Sequence, residues 1–232
     1  MKTFSKLSFA IIALLSFQLR AQNEMTKDTG AYDAIHISGP FEVTLTKGQE
    51  GSISFEGDEK ELEKVTYKIK NNALYIGLEK TRFWGSWNSI KGKIYVEIPV
   101  QDINELSISG SGSVKGSIPE SDDLKLAISG SGDLHIEANT ETLDCSISGS
   151  GNIHATGVAE ELKVSIAGSG SVMADTIKAQ DVKVRIAGSG DAKVHATKSL
   201  DVSIAGSGDV SYKGNPTKIS QDIAGSGKVR AN

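Results

Sequence analysis

The chain has 232 residues, 38% of them hydrophobic, 23% charged and 6% aromatic, which suits one domain or two small ones. A formal net charge of −4 without any basic cluster argues against nucleic acid, whose binding rests on neutralising phosphates. A single cysteine, Cys145, excludes an intramolecular disulfide framework and any cysteine-cluster metal site.

Residues 1–21 begin with Lys2 and Lys6 and pass through the apolar run Phe9–Leu15. A short polar stretch leads to Ala21-Gln22. This order of charged, apolar and cleavage regions is that of a secretory signal peptide and predicts cleavage after Ala21. A lipid anchor at that point needs a cysteine, and the only one lies at 145. Cleavage removes three cations (Lys2, Lys6, Arg20) and none of the 29 acids, so the net charge falls from −4 to −7. The expected destination is the periplasm, the outer-membrane surface or the exterior. Beyond this N-terminus no stretch is long and apolar enough to span a bilayer as a helix.

Residues 22–104 read as irregular β structure. The expected strands are Tyr32–Ile37, Phe41–Thr46, Ser52–Glu56, Val65–Lys70, Ala73–Leu78 and Lys93–Ile98. Turn signals at Gly39-Pro40, Lys47-Gly48 and Asn71-Asn72 separate them, and Asp58–Lys64 has room for one helical turn. The segment Ile37-Ser38-Gly39-Pro40-Phe41-Glu42-Val43 looks like a decayed copy of a repeat that governs the rest. The region is therefore expected to form wider coils that cap a regular stack, with a separate small β domain as the alternative.

Between the last two of these strands lies Arg82-Phe83-Trp84-Gly85-Ser86-Trp87-Asn88, which holds both tryptophans. Arg82, Phe83, Trp84, Trp87 and Asn88 form the candidate binding residues, since Trp and Arg are favoured anchors for sugars and protein partners. The competing expectation is that these rings fold back to cover the open end of the stack.

From residue 105 onward the unit Ile-(Ser/Ala)-Gly-Ser-Gly recurs, beginning at Ile108, Ile128, Ile147, Ile166, Ile186, Ile204 and Ile223. The steps are 20, 19, 19, 20, 18 and 19 residues, too short for helical repeats and too long for hexapeptide or nonapeptide ones. Glycine reaches 25 residues, about 11% against a usual figure of roughly 7%, without a collagen period. Aligned on the isoleucine, the columns at −4, −2, 0, +6 and +8 hold 35 positions, of which 32 are apolar. Polar residues fill the positions between. Period-two alternation on both sides of a Gly-Ser-Gly bend predicts half-buried strands. One unit per coil then gives an all-β parallel β-helix of seven coils over 105–232, in a single domain spanning 22–232. The −3 column, Glu105, Lys125, Asp144 and Lys163, alternates in charge, so neighbouring coils attract. At the last coil Gln221 enters an apolar column, and Lys228 and Arg230 flank Val229 as an expected guard against stacking by another molecule.

Three stretches carry a family resemblance: Ile35-His36-Ile37-Ser38-Gly39-Pro40-Phe41-Glu42-Val43, Val96-Glu97-Ile98-Pro99, and Leu106-Ser107-Ile108-Ser109-Gly110-Ser111-Gly112. Through them the chain resembles the autotransporter adhesin head GIN domain family of Bacteroidetes-type bacteria. The resemblance implies a right-handed β-helix, an envelope or extracellular location and an adhesive role, and brings no catalytic residues.

Other chemistry is weighed against packing. The Gly-Ser-Gly bends lack the Lys-(Ser/Thr) and the following helix of a phosphate loop. Asp133, Asp191 and Asp209 share a column with serines, an asparagine and a lysine, too few acids for a calcium ladder. His135 and His154 are vertical neighbours, but their column, Lys115, His135, His154, Met173, Lys193, Ser211 and Arg230, reads as a solvated face, with no metal site expected. Cys145 falls in an inward column as a core residue. The expected protein is a non-catalytic surface binding module for a glycan or another protein, without cofactor and open to homo-oligomerisation. A carbohydrate-active hydrolase or lyase on the same scaffold is the first alternative, and a passive or self-associating envelope protein the second.

Overall fold

A computed structural model describes residues 23–79 and 90–232. The expected signal peptide and the Arg82–Asn88 segment lie outside the described residues.

The irregular first part supplies β1 (Asn23–Asp28), β2 (Ala34–Ser38), β3 (Phe41–Lys47), β4 (Ser52–Gly57), the short α1 (Glu59–Leu62), β5 (Val65–Lys70), β6 (Ala73–Leu78) and β7 (Ile94–Val100). The repeats supply β8 (Glu105–Gly110), β9 (Ser113–Gly130), β10 (Asp133–Gly149), β11 (Asn152–Gly168), β12 (Ser171–Gly188) and β13 (Asp191–Gly206). They end in β14 (Asp209–Lys213), β15 (Lys218–Gly225) and β16 (Lys228–Ala231). These strands wind into a β-solenoid of about seven turns with coils of about 19 residues. All sixteen belong to one hydrogen-bonded sheet.

The repeat isoleucines stack in strict register, Ile108 on Ile128, Ile147, Ile166, Ile186, Ile204 and Ile223. The decayed copy joins them: Ile37 pairs with Ile108 on one side and Ile76 on the other. A second inward ladder runs Leu74, Ile35, Leu106, Leu126, Cys145, Val164, Val184, Val202 and Gln221. Inward side chains therefore meet near-identical neighbours about 4.8 Å above and below, which fills the interior without gaps. Cys145 is fully buried there, and burial together with the Asp144 charge pushes its thiol well above the usual range. A thiol reagent should leave the native protein unmodified and label one site after denaturation. Fast labelling of the native protein would contradict the packing.

Each Gly-Ser-Gly turns the chain between two faces of the coil. At the first glycine φ lies between +113° (Gly110) and +140° (Gly39), where side chains are strained. The corners also stack: a Cβ on Gly168 would run into the carbonyl oxygen of Gly149, its counterpart one coil below. Glycine is thus required by the coil beneath as well as by the turn.

The first part is wound out of chain order. In the sheet, β2 lies between β6 and β8, all parallel, and β3 lies between β7 and β9. The coil made of β2 and β3 is consequently second in the stack, and the later β6 and β7 form the outermost parallel coil. Antiparallel strands close that end. β5 pairs with β6 through a turn at Asn71 (φ 51°) and Asn72 (φ 59°), the left-handed pair of a tight hairpin. β4 pairs with β7, and β1 with β4. Asp58 caps α1, its side chain accepting from the Lys60 backbone at 3.0 Å. The opposite end carries no such cover among the described residues: all eight residues of β15 are exposed.

Candidate binding site

The outward face of the segments leading into the Gly-Ser-Gly corners is made mostly of short side chains. Two columns run along it, Ser107, Ala127, Ser146, Ser165, Arg185 and Ser203, and beside them Ser109, Ser129, Ser148, Ala167, Ala187 and Ala205. Because all of these residues but Arg185 are small, the face is hollowed into a shallow groove of about 670 Å³ along the stack, entered by Lys125 and Arg185. Its floor is backbone fixed by parallel hydrogen bonding, so the surface is rigid before any partner arrives.

A charged row borders the groove. Lys125 pairs with Glu105 at 3.2 Å and Lys183 with Asp201 at 4.0 Å. Lys163 departs from the expected alternation and turns to Glu161 in its own coil, at 3.0 Å. These exposed pairs each contribute only about 0–1 kcal/mol. They engage Glu105, Asp201 and Glu161 among the outward carboxylates.

Beyond its capped end the same column reaches aromatic groups. The first small-residue column continues from Ser107 to His36 and then Tyr75, one on each successive coil. The His36 and Tyr75 rings stack with centroids 4.7 Å apart, and the Lys68 ammonium of β5 sits 5.4 Å from the Tyr75 ring centre. His36 Nδ1 and Ser107 Oγ are 2.6 Å apart. The Ser–His pair resembles half of a hydrolytic triad, but the backbone N–H groups of β2, β8 and β9 are engaged in parallel ladders. They are therefore unavailable as oxyanion donors. What the corner offers is a half-buried aromatic group, Tyr75 held between His36 and Lys68, beside hydroxyls.

The other candidate groups are tied into the stack. Corner serine N–H groups donate to glycine carbonyls one coil below, Ser131 to Gly110 at 2.8 Å and Ser169 to Gly149 at 2.9 Å. Asp133 accepts from Asn152 Nδ2, Asp191 from the Asp209 backbone, and Asp209 from the Lys228 backbone, each at 2.9 Å. The aspartates therefore link successive coils. Arg230, one of the two charges expected to guard the last coil, pairs with Asp209 at 3.4 Å. His135 and His154 stand in register with ring centroids 5.7 Å apart. Among the described residues no three His, Cys, Asp or Glu side chains gather in a metal-binding cluster.

The family profile described as "Putative auto-transporter adhesin, head GIN domain" matches residues 31–216. The chain belongs to this family. A "putative adhesin" of Bacteroides fragilis is similar at 22% identity with a TM-score of 0.79, covering 92% of this chain and 98% of its own. A "putative lipid binding protein" of Parabacteroides distasonis is similar at 26% identity and a TM-score of 0.71, over 91% of this chain and 96% of its own. A "putative adhesin" of Parabacteroides merdae follows at 24% identity and 0.68, with 91% and 96% covered. No curated protein matches the chain. The head GIN domain assignment agrees with the three stretches that carry the sequence resemblance. No helix among the described residues is long and apolar enough to cross a membrane.

Proposed function

We propose that this head GIN domain protein is an exported, non-catalytic binding module of the cell envelope, and that its partner is a glycan lying along the groove. One observation carries the reading: a shallow groove along serine and alanine columns leads, in the same column, to the half-buried His36 and Tyr75 rings. Aromatic side chains give a sugar apolar contact while hydroxyls satisfy its polar rim. The adhesin names of the family and its structural neighbours support a non-enzymatic role. Residues 1–21 serve as the export signal, and residues 22–232 are the mature single domain. The Arg82–Asn88 segment, with both tryptophans and an arginine, supplies a second anchor. A protein ligand would use the same face.

The test is retention of the chain on immobilised bacterial and host polysaccharides, matrix proteins and lipid vesicles, with cleaved product recorded in parallel. Tyr75→Ala removes the aromatic platform and Ala187→Trp fills the groove from an outward position. Each is expected to weaken glycan retention by about tenfold or more, the scale of an anchor residue. Trp84→Ala/Trp87→Ala should weaken it further. Release of product would overturn the non-catalytic reading, and retention on vesicles alone would move the ligand class to lipid. No retention on any surface would leave a passive envelope protein.

A further inference from the structure

Arg185 is the one long side chain in the two small-residue columns that line the groove. It stands in register between Ser165 on the coil before and Ser203 on the coil after, and all three are exposed. The lysines of the bordering row are engaged, Lys125 with Glu105, Lys163 with Glu161 and Lys183 with Asp201. Arg185 is not: among the described residues its guanidinium makes no ion pair or hydrogen bond. The acid of its own column, Asp222, stands two coils on, about 10 Å along the stack. Resting on the glycan reading of the groove, we infer that Arg185 selects an acidic glycan, whose uronic-acid carboxylate takes the free guanidinium while neutral sugars occupy the rest of the groove.

The chemistry of the two groups matches. A guanidinium is planar and offers its N–H donors as a fork to both oxygens of a planar carboxylate, in charge-assisted bonds roughly twice as strong as neutral ones. Ser165 and Ser203 lie about 4.8 Å to either side, and neither hydroxyl is used in a bond within the described protein. Each can donate to and accept from the hydroxyls of the acidic sugar or its neighbours. One unpaired cation matches one carboxylate, and Glu105, Asp144 and Asp201 along the bordering row repel further ones. The acidic sugars must therefore be spaced among neutral ones. Arg185 is also five coils from His36 along the same column, about 24 Å, so a polymer reaches both and a single sugar does not.

The chain would be applied to hyaluronate and xanthan, which carry glucuronate spaced among neutral sugars, and to the same two polymers with their carboxylates methyl-esterified. Neutral dextran and polyglutamate complete the panel. The acid forms should be retained more strongly than their esters. Arg185→Gln should weaken retention on the acid forms about tenfold, the scale of an interface arginine, and leave the esters and dextran unchanged. Arg185→Lys keeps the charge without the fork and should restore only part of the loss. Lys193→Gln removes an equal charge from the other face of the coil, in register with Met173, and should change nothing. These positions are exposed, and circular dichroism verifies the fold of each variant. Equal retention of acid and ester forms would overturn the acidic class and leave the glycan reading standing. So would an Arg185→Gln protein that holds the acid forms as tightly as the parent. Retention on no polysaccharide would overturn both readings, and equal retention on polyglutamate would overturn the choice of a sugar.

Discussion

Gly168→Ala is expected to destabilise the protein by about 3 kcal/mol or more, in the range reserved for mutations with a specific steric or burial cause. The added methyl meets the Gly149 carbonyl oxygen, backbone that cannot move without dragging the next coil. Positive φ alone does not account for so large a loss. Gly51 has φ of +139°, close to the +132° of Gly168, yet a Cβ there meets nothing within 4 Å. Gly51→Ala should cost only the backbone strain of about 1–2 kcal/mol. Urea and thermal unfolding of the two variants separate the contributions: near-equal losses would show that stacking of the corners matters little.

The second large effect lies in one column of the core. Val164 is 1% exposed, between Cys145 and Val184, whereas Gln221 is exposed at the last coil of the same column. Val164→Gln buries an amide without partners in space shaped for a smaller side chain. It should cost about 3 kcal/mol or more, combining desolvation with overpacking. Gln221→Val should stay within about 0.5 kcal/mol of the parent, or stabilise it slightly. Equal sensitivity at the two positions would mean that β15 is covered in solution.

The regular coils were legible because one register governs both faces. Thirty-two apolar residues in 35 aligned positions fix which side chains point inward, and glycine marks each corner. The turn at Asn71-Asn72 and a helical turn within Asp58–Lys64 were legible from local chemistry, and β5 and β6 match their expected bounds. β1, Asn23–Asp28, was not, because NEMTKD has no apolar alternation; it is held by pairing with β4 and by Met25 against the core. The order β6, β2, β8 was hidden too: pairing across so many residues leaves no trace in local periodicity. The groove is written in the serine and alanine columns, but they read only as polar positions until the coils are stacked. His36 and Tyr75 escaped because nothing in the sequence aligns residues 34–38 with 73–76. The Arg82–Asn88 segment, the most conspicuous feature of the sequence, stands as the proposed second anchor.

The out-of-order winding of the first hundred residues has a consequence for how the molecule is made. The coil of β2 and β3 is enclosed by β6 and β7 on one side and by β8 and β9 on the other, all synthesised after it. It has no neighbour to rest on until the chain has reached about Val100, so this unit closes as a slow, long-range nucleus. Once closed, it exposes one fresh edge. Each following stretch of about nineteen residues can settle on its predecessor as it emerges from a pore or ribosome, needing nothing downstream. Growth is then directional, and adding or deleting one unit lengthens or shortens the rod by about 4.8 Å without disturbing its start.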